Sequence, residues 1–400
     1  MKTALTNGTI FVGNGNILEK STVLVDNGHI VKIESSANKI PNDFDKIDIS
    51  DCILFPGFID CHVHFCLDGS SDPVSSLMKE SKYTTALKAA EFSKKTLFAG
   101  ITTVRDMGGV DYIDLSLRDA IQNGLIQGPR ILASGRLICM TGGHGWQIDG
   151  READGPEEVR KAVREQIKRG CDTVKLMATG GVITPGVDPG SPQLSEEELR
   201  AGIEEAHKAG RKTATHAQGT DGILNALKAG IDSIEHGFFL NEEAVEFMKK
   251  NSIPLIPTLK PVLDAILHSE EGEIPDFMIE KMNRVKPSMI NSLKMAVEAG
   301  LTICMGTDAG TPYNLHSDNL KEIVYLSKHG LSNNEALQSA TLNASKILGL
   351  ENQIGSVEEG KIADIVILKN NPLENIDVLN DQDTIVFVMK SGNIIKNCLM

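Results

Sequence analysis

The sequence is poor in aromatic residues, with one tryptophan, four tyrosines and twelve phenylalanines in 400 residues. Its core must therefore be mostly aliphatic. No run approaches the roughly 20 apolar residues that a membrane span requires. Residues 1–8 lack the apolar stretch of a secretory signal. Basic residues are outnumbered, 40 Lys and Arg against 54 Asp and Glu, for a formal net charge of −14. That balance argues against nucleic acid or an anionic membrane as partner. Seven cysteines is an odd number with no paired framework, so reduced thiols in a cytoplasm are expected. Low-complexity tracts and short-period repeats are absent too. The expected partners are a small-molecule substrate and further copies of the chain in a homo-oligomer.

What is present is a recurring unit in which a helical segment ends in glycine and a β-rich run follows. Gly100 precedes 101–105, Gly170 precedes 171–177, Gly210 precedes 212–216, Gly230 precedes 231–236, and Gly300 precedes 301–305. Glycine there supplies the left-handed helix cap. Five such copies predict βα units and a parallel sheet. Runs at 53–64, 130–135 and 253–259 bring the strand count to eight, the requirement of a TIM barrel. Ser195-Glu196-Glu197-Glu198 reads as a capping box opening a helix. Both chain ends instead show short β runs with hairpin signals at Asp26-Asn27-Gly28 and Ser391-Gly392-Asn393. The predicted fold is α/β: a (β/α)8 TIM barrel over residues 56–352, flanked by a small β-sandwich formed from 1–55 and 353–400. Three long Gly- or Pro-rich loops, 140–156, 179–194 and 260–288, follow strands on the side where barrel enzymes work.

Lys175 stands in an otherwise buried-looking strand, Cys171-Asp172-Thr173-Val174-Lys175-Leu176-Met177-Ala178. Lysine is almost never fully buried unless paired or modified. Ahead of it lies His62-Val63-His64; behind it His216, His236 and Asp308 each close a strand-like run. Any one of these histidines alone could be a satisfied core residue. In this order and at strand ends, the six read as the ligands of two divalent ions, for which zinc suits the imidazole and carboxylate set. A lysine ammonium would repel both ions, whereas a carbamate formed with CO2 can bridge them. One ion then lowers the pKa of a shared water while the other polarises a carbonyl. Cys61 and Cys66 flank the HxH pair, but strand alternation turns Cys61 to the other face, and both read as packing residues.

These motifs carry a family resemblance. Pro56-Gly57-Phe58-Ile59-Asp60-Cys61-His62-Val63-His64, Gly306-Thr307-Asp308-Ala309-Gly310 and the 355–364 segment resemble those of the amidohydrolase superfamily over essentially the full length. Met177-Ala178-Thr179-Gly180-Gly181-Val182 and Thr141-Gly142-Gly143-His144-Gly145 resemble its prolidase-like, imidazolonepropionase-related branch. That branch includes dipeptidases cleaving Xaa-Pro or Xaa-Arg/Lys bonds and hydrolases of N-acyl amino acids, with a carboxylated lysine. The resemblance implies a binuclear amidohydrolase in which a hydroxide bridging the metals attacks the scissile carbonyl. Asp308 would shuttle the proton, and His144 would hydrogen-bond the carbonyl. The alternatives are another amide or cyclic amide as substrate, a mononuclear deaminase, or a non-enzymatic scaffold. Residues 217–220 lack the Glu of a deaminase, and the complete ligand set argues against a scaffold. The sequence departs from its relatives at His216-Ala217-Gln218-Gly219, where His or Tyr is usual at the position of Gln218. Gln218 is therefore a candidate substrate contact. Arg105, Arg136 and Lys260 follow strands 2, 3 and 7; each either grips a substrate carboxylate, which the substrate is expected to carry, or forms a salt bridge supporting the mouth. His29, His207, His268, His316 and His329 are assigned to surface or packing.

Overall fold

The computed structural model describes residues 2–35, 40–271 and 273–399. They divide into two compact units, one of Met1–Asp60, Lys94–Thr103 and Ser317–Met400, the other of Cys61–Ser93 and Val104–His316.

The terminal strands of the first unit form one eight-stranded sheet. Lys2–Phe11 pairs antiparallel with Ile17–Asp26, which pairs with His29–Glu34 through a tight turn. Asn27 and Gly28 in that turn both have positive φ, 48° and 82°, as the twist of a two-residue hairpin demands. Ile53–Pro56 joins the other side and pairs with Ile365–Leu368 from the far end of the chain. The sheet then closes over. Ile30 donates its N–H to Lys361 O at 2.8 Å and accepts from Gly360 at 2.8 Å. Leu5, Val23, Ile30, Leu54, Ile367 and Phe387 thereby share one core. The first chain end supplies five of the eight strands and the second end three, so each has more strands than the sequence reading allowed, and both share the one core.

The barrel strands are β1 Phe58–Val63, β2 Ile101–Asp106, β3 Arg130–Ala133, β4 Thr173–Met177, β5 Lys212–Ala217, β6 Ser233–His236 and β7 Leu255–Ile256. Residues 301–305 fill the eighth position with a single bridge, Ile303 to Leu255. Backbone hydrogen bonds carry the ring around its mouth: Met107 to Val63 O, Ser134 to Asp106 O, Asp172 to Ala133 O, Cys304 to Leu255 O and Cys61 to Met305 O. Strands β4 to β7 pair in parallel register, with Met177 beside His216 and Ala217 beside His236. The five capping glycines all adopt positive φ: Gly100 84°, Gly170 89°, Gly210 67°, Gly230 93° and Gly300 75°. Ser195 and Glu198 form the expected capping box on helix Glu196–Lys208.

Two details differ from the sequence reading. The run 53–64 is not one strand: it breaks at Gly57, whose N–H turns to Asp364 O and where a Cβ would lie 2.1 Å from Thr102 Oγ1. Residues 260–288 are mostly helical rather than loop. Lys260–Leu267 starts with Pro261 in its first turn, where the missing N–H is harmless. Asp276–Glu298 buries Met278, Met282, Val285 and Met289 at helical spacing despite the internal Pro287.

Candidate metal centre and active site

The ends of the barrel strands bring the histidines, Lys175 and Asp308 to one mouth, within the second unit. Alternation along β1 sends His62 and His64 to the same side. Asp308 follows the eighth segment, and its N–H bonds His62 O at 2.7 Å. Asp308 Oδ1 lies 3.4 Å from His62 Nε2 and 3.3 Å from His64 Nε2. One donor atom from each of these three residues lies within 4.8 Å of the others. Lys175 Nζ is 3.5 Å from His62 Nε2. The ring of His236 is 5.1 Å from that of His62 and 4.4 Å from that of His216. His216 is 4.3 Å from His144.

Hydrogen bonds to acceptor-only groups set which ring nitrogen faces inward. His62 Nδ1–H donates to Glu235 Oε2 at 2.8 Å, and His64 Nδ1–H to Gly108 O at 3.3 Å. In both, Nε2 faces Asp308. His216 Nε2–H donates to Gly180 O at 2.8 Å, which frees Nδ1. His236 Nδ1 pairs with Thr258 Oγ1 at 2.7 Å. Burial, with Lys175 beside it, holds His62 well below the ordinary imidazole range. His216 is held down by burial and by His144, and burial takes His236 to about 3. Burial alone would raise the Asp308 carboxyl, but His62 and His64 around it reverse that and hold it well below the usual carboxylate range. His62, His216 and His236 are thus held as neutral imidazole and Asp308 as carboxylate, the forms that bind a metal.

The residues fit a divalent ion on a further observation. Lys175 is 2% exposed, yet among the described residues its Nζ has only an imidazole nitrogen as partner and no carboxylate at ion-pair distance. Burial lowers its pKa to about 8, toward the neutral amine that can take up CO2.

His144 sits in the loop framed by the short strands Ile138–Cys139, paired at Ile138 to Leu176, and Arg151–Glu152. Its Nδ1 pairs with Thr184 Oγ1 at 2.8 Å. A Cβ on Gly181 would fall 2.3 Å from its Nε2, which explains a glycine there. Burial lowers His144 to about 3, so the ring is neutral. Together these groups line a cavity of about 50 Å³. Its other walls are largely apolar, including Leu137, Met177, Val182, Phe238, Val262 and Met282. Gln218 is also in the lining.

The three cations proposed for a substrate carboxylate are not in that lining. Arg105 points into the barrel below the ligands, bonding Cys61 O at 2.7 Å, Ser233 Oγ at 3.2 Å and Glu235 Oε1 at 2.7 Å. Arg136 ties down its own loop through Asp149 O at 2.7 Å and Asp149 Oδ1 at 2.8 Å. Lys260 is buried on Asn314 Oδ1 at 2.7 Å and Asp264 Oδ2 at 2.9 Å. Each is held by protein acceptors, as a cation withdrawn wholly or partly from water requires.

Sequence reasoning missed Glu235, Thr258, Thr184 and Lys281. Glu235 was the findable one, a charged residue inside a buried strand run like Lys175. Lys281 donates to Thr184 O at 2.6 Å, Gly181 O at 3.2 Å and Val182 O at 3.4 Å, clamping the loop beneath His144. Nothing local marks it, since its partners are backbone carbonyls about 100 residues away.

An eight-stranded barrel with His62, His64 and Asp308 gathered at its strand ends defines a class, that of TIM-barrel enzymes with a mouth suited to a metal. The chain belongs to the amidohydrolase family, whose profile matches residues 53–395, and it is a hydrolase acting on C–N bonds. It is 31% identical to ochratoxinase of Aspergillus niger over 97% of this chain and 85% of that one. Its structure resembles a Xaa-Pro dipeptidase with methionine bound in the active site, with a TM-score of 0.92 and 33% identity over 99% of this chain and 100% of that one. A prolidase complexed with N-methylphosphonate-L-proline matches with a TM-score of 0.92 and 32% identity over 99% of this chain and 100% of that one. Among the described residues no helix is long and apolar enough to cross a membrane.

Proposed function

We propose that the protein is a binuclear metal-dependent hydrolase of the amide bond in dipeptides or N-acyl amino acids with apolar side chains. The observation that carries this reading is the buried Lys175 Nζ, 3.5 Å from His62 Nε2 and, among the described residues, without a carboxylate at ion-pair distance. As a carbamate it would join His62, His64, His216, His236 and Asp308 in holding two divalent ions, with zinc the natural candidate. Ions held there supply an activated water and polarise the amide carbonyl. Asp308, kept ionised, takes the proton of the attacking water and passes it to the leaving amine. His144, neutral and with Nδ1 engaged by Thr184, presents Nε2 to the carbonyl oxygen as it gains charge. The cavity walls favour apolar substrates over Xaa-Arg/Lys, since among the described residues no carboxylate besides Asp308 lines them. The methionine and proline groups bound by the structural relatives support the same preference.

The test is metal analysis of zinc-loaded protein together with a panel of dipeptides and N-acyl amino acids bearing Pro, Arg/Lys or hydrophobic C-terminal residues. The expected result is two ions per chain and fastest release from apolar substrates. One ion or none per chain, or no cleavage across the panel, would overturn the reading.

A further inference from the structure

The cavity at the barrel mouth, about 50 Å³, has room for roughly three to five waters, each of which needs about 10–15 Å³ by this measure. A dipeptide, with several times as many non-hydrogen atoms, enters only if part of the wall moves. Most of the wall is strand or helix. The loop carrying His144 is tied by backbone bonds, Arg151 N–H to Leu137 O at 2.7 Å and Ala153 N–H to Cys139 O at 2.8 Å among them. Val182 and Ile183, which also line the cavity, belong to a loop held in another way.

The neck of that loop is firm: Gly180 N–H donates to Ser191 O at 2.9 Å and Gln193 N–H to Ala178 O at 2.8 Å. Beyond the neck, residues 181–187 make no backbone–backbone hydrogen bond among the described residues. Side chains hold them instead. Lys281 Nζ donates to the carbonyls of Gly181, Val182 and Thr184, Arg284 Nη2 pairs with Asp188 Oδ2 at 2.6 Å, and Thr184 Oγ1 meets His144 Nδ1 at 2.8 Å. Phe277, Lys281 and Arg284 recur at helical spacing on helix Asp276–Glu298. Between them and Gly186, Val187 and Asp188 lies a second space of about 230 Å³. Packed protein interiors lack voids of that size, so little apolar contact opposes separation there.

We propose that residues 181–188 form a gate over the cavity, latched by Lys281 and more weakly by Arg284, which swings on its neck to admit substrate. Loops that shut over a site and reopen for exchange are a common device of enzymes. Opening withdraws Val182 and Ile183 from the wall and Thr184 from His144, so His144 has this partner only while the gate is shut. The Arg284–Asp188 pair is about half exposed on both sides and contributes little, as surface pairs do. The half-buried Lys281, with three carbonyls on one ammonium, carries most of the latch. The gate goes beyond the hydrolase reading and does not depend on it.

The experiment reads opening directly, without turnover. Val262 lines the cavity from helix Lys260–Leu267 and is 2% exposed, so a thiol placed there by Val262→Cys is reached through the gate. The protein is treated with N-ethylmaleimide, and labelling at position 262 is followed by peptide mass spectrometry, which separates it from the exposed Cys398 and half-buried Cys52. Adding Lys281→Met should speed labelling by about 10-fold or more, the weight of a charge-assisted hydrogen bond, and adding Arg284→Met should speed it less. Lys281→Arg should return part of the protection. The buried Cys304 serves as control and should label no faster in any variant. If Val262→Cys does not fold, Val182→Cys on the gate itself carries the same test. A labelling rate unchanged by Lys281→Met overturns the gate, and so does equal acceleration at Cys304, which would mean general loosening. Failure of the substrate panel would overturn the hydrolase reading and leave these rates, and the gate, standing.

Discussion

Glu235 is where the structure makes its sharpest demand on a residue that touches neither the proposed substrate nor the proposed ions. Its carboxylate is fully buried and joins three groups: His62 Nδ1 at 2.8 Å, Arg105 Nη2 at 2.7 Å and Ser233 Oγ at 2.8 Å. Two separable costs follow from removing it. Arg105 would keep only Cys61 O and Ser233 Oγ as acceptors in the barrel interior. Breaking a buried ion pair by deleting one partner costs about 3–5 kcal/mol, a large share of the 5–15 kcal/mol typical of a folded protein. His62 would also lose the bond that fixes its tautomer. Outer-shell losses of this kind typically lower metal affinity by about 10- to 100-fold. Glu235→Gln should therefore weaken zinc binding in a competitive chelator titration by about that factor. Glu235→Ala should lower the metal-free thermal midpoint as well. The double variant Arg105→Met with Glu235→Leu removes both charges together. It should recover most of the thermal stability, because replacing a buried pair by apolar groups is often neutral, but none of the metal affinity. Wild-type zinc affinity in Glu235→Gln, or restored affinity in the double variant, would refute the reasoning.

Three further outcomes can be checked. Asp308→Asn keeps shape but deletes the proton acceptor, so kcat should fall by about 10²–10⁴-fold while circular dichroism stays unchanged; near-normal turnover in metal-loaded variant would move the proton transfer elsewhere. Lys175→Ala should lose both zinc and activity, and short carboxylic acids that stand in for the carbamate should restore part of each; full activity without them would exclude the carbamate. Lys281→Met removes a charged donor that bonds the carbonyls of Gly181, Val182 and Thr184. Charge-assisted bonds contribute on the order of 1.5–3 kcal/mol, so kcat/KM should fall roughly 10-fold with zinc content unchanged. Lys281→Arg should recover part of that loss, and equal loss in both variants would argue against a hydrogen-bonding role.

The ring of strands was legible because glycine caps and buried β runs are local signals. Gly100, Gly170, Gly210, Gly230 and Gly300 each mark a chain reversal by a conformation that other residues rarely adopt. The site was legible for a related reason: Lys175 and the histidines are polar residues inside apolar runs, which a strand tolerates only with partners. Direction was harder to read. Arg105 lies within β2 rather than beyond it, so its side chain enters the barrel instead of the mouth. Arg136 and Lys260 had acceptors that only the fold brings near. In 260–288, punctuation by Pro261, Pro275 and Pro287 concealed two helices, because proline is harmless in a first turn and packing can override one in the interior.

The backbone divides the candidate ligands in two. His62, His64, Lys175 and His216 have no positive φ; the pleat alone aims them, and that is what a sequence pattern can convey. His236 and Asp308 have φ of 70° and 55°, and Thr258, the partner of His236, has 45°. Such conformations cost a non-glycine residue about 1–3 kcal/mol each and persist only where the surroundings over-determine them. Here the surroundings do so. Gly237 N–H bonds Ala217 O at 3.0 Å just past His236, and the Asp308 carbonyl accepts from Asn314 Nδ2 at 2.9 Å and Thr311 Oγ1 at 2.8 Å. The three strained positions lie at or just beyond the ends of β6, β7 and the eighth segment, so one arc of the mouth is formed by strain held in tertiary hydrogen bonds and the other by regular alternation. Residue type pointed to His236 and Asp308 in the sequence; what turns them into the site is supplied by contacts many residues away along the chain.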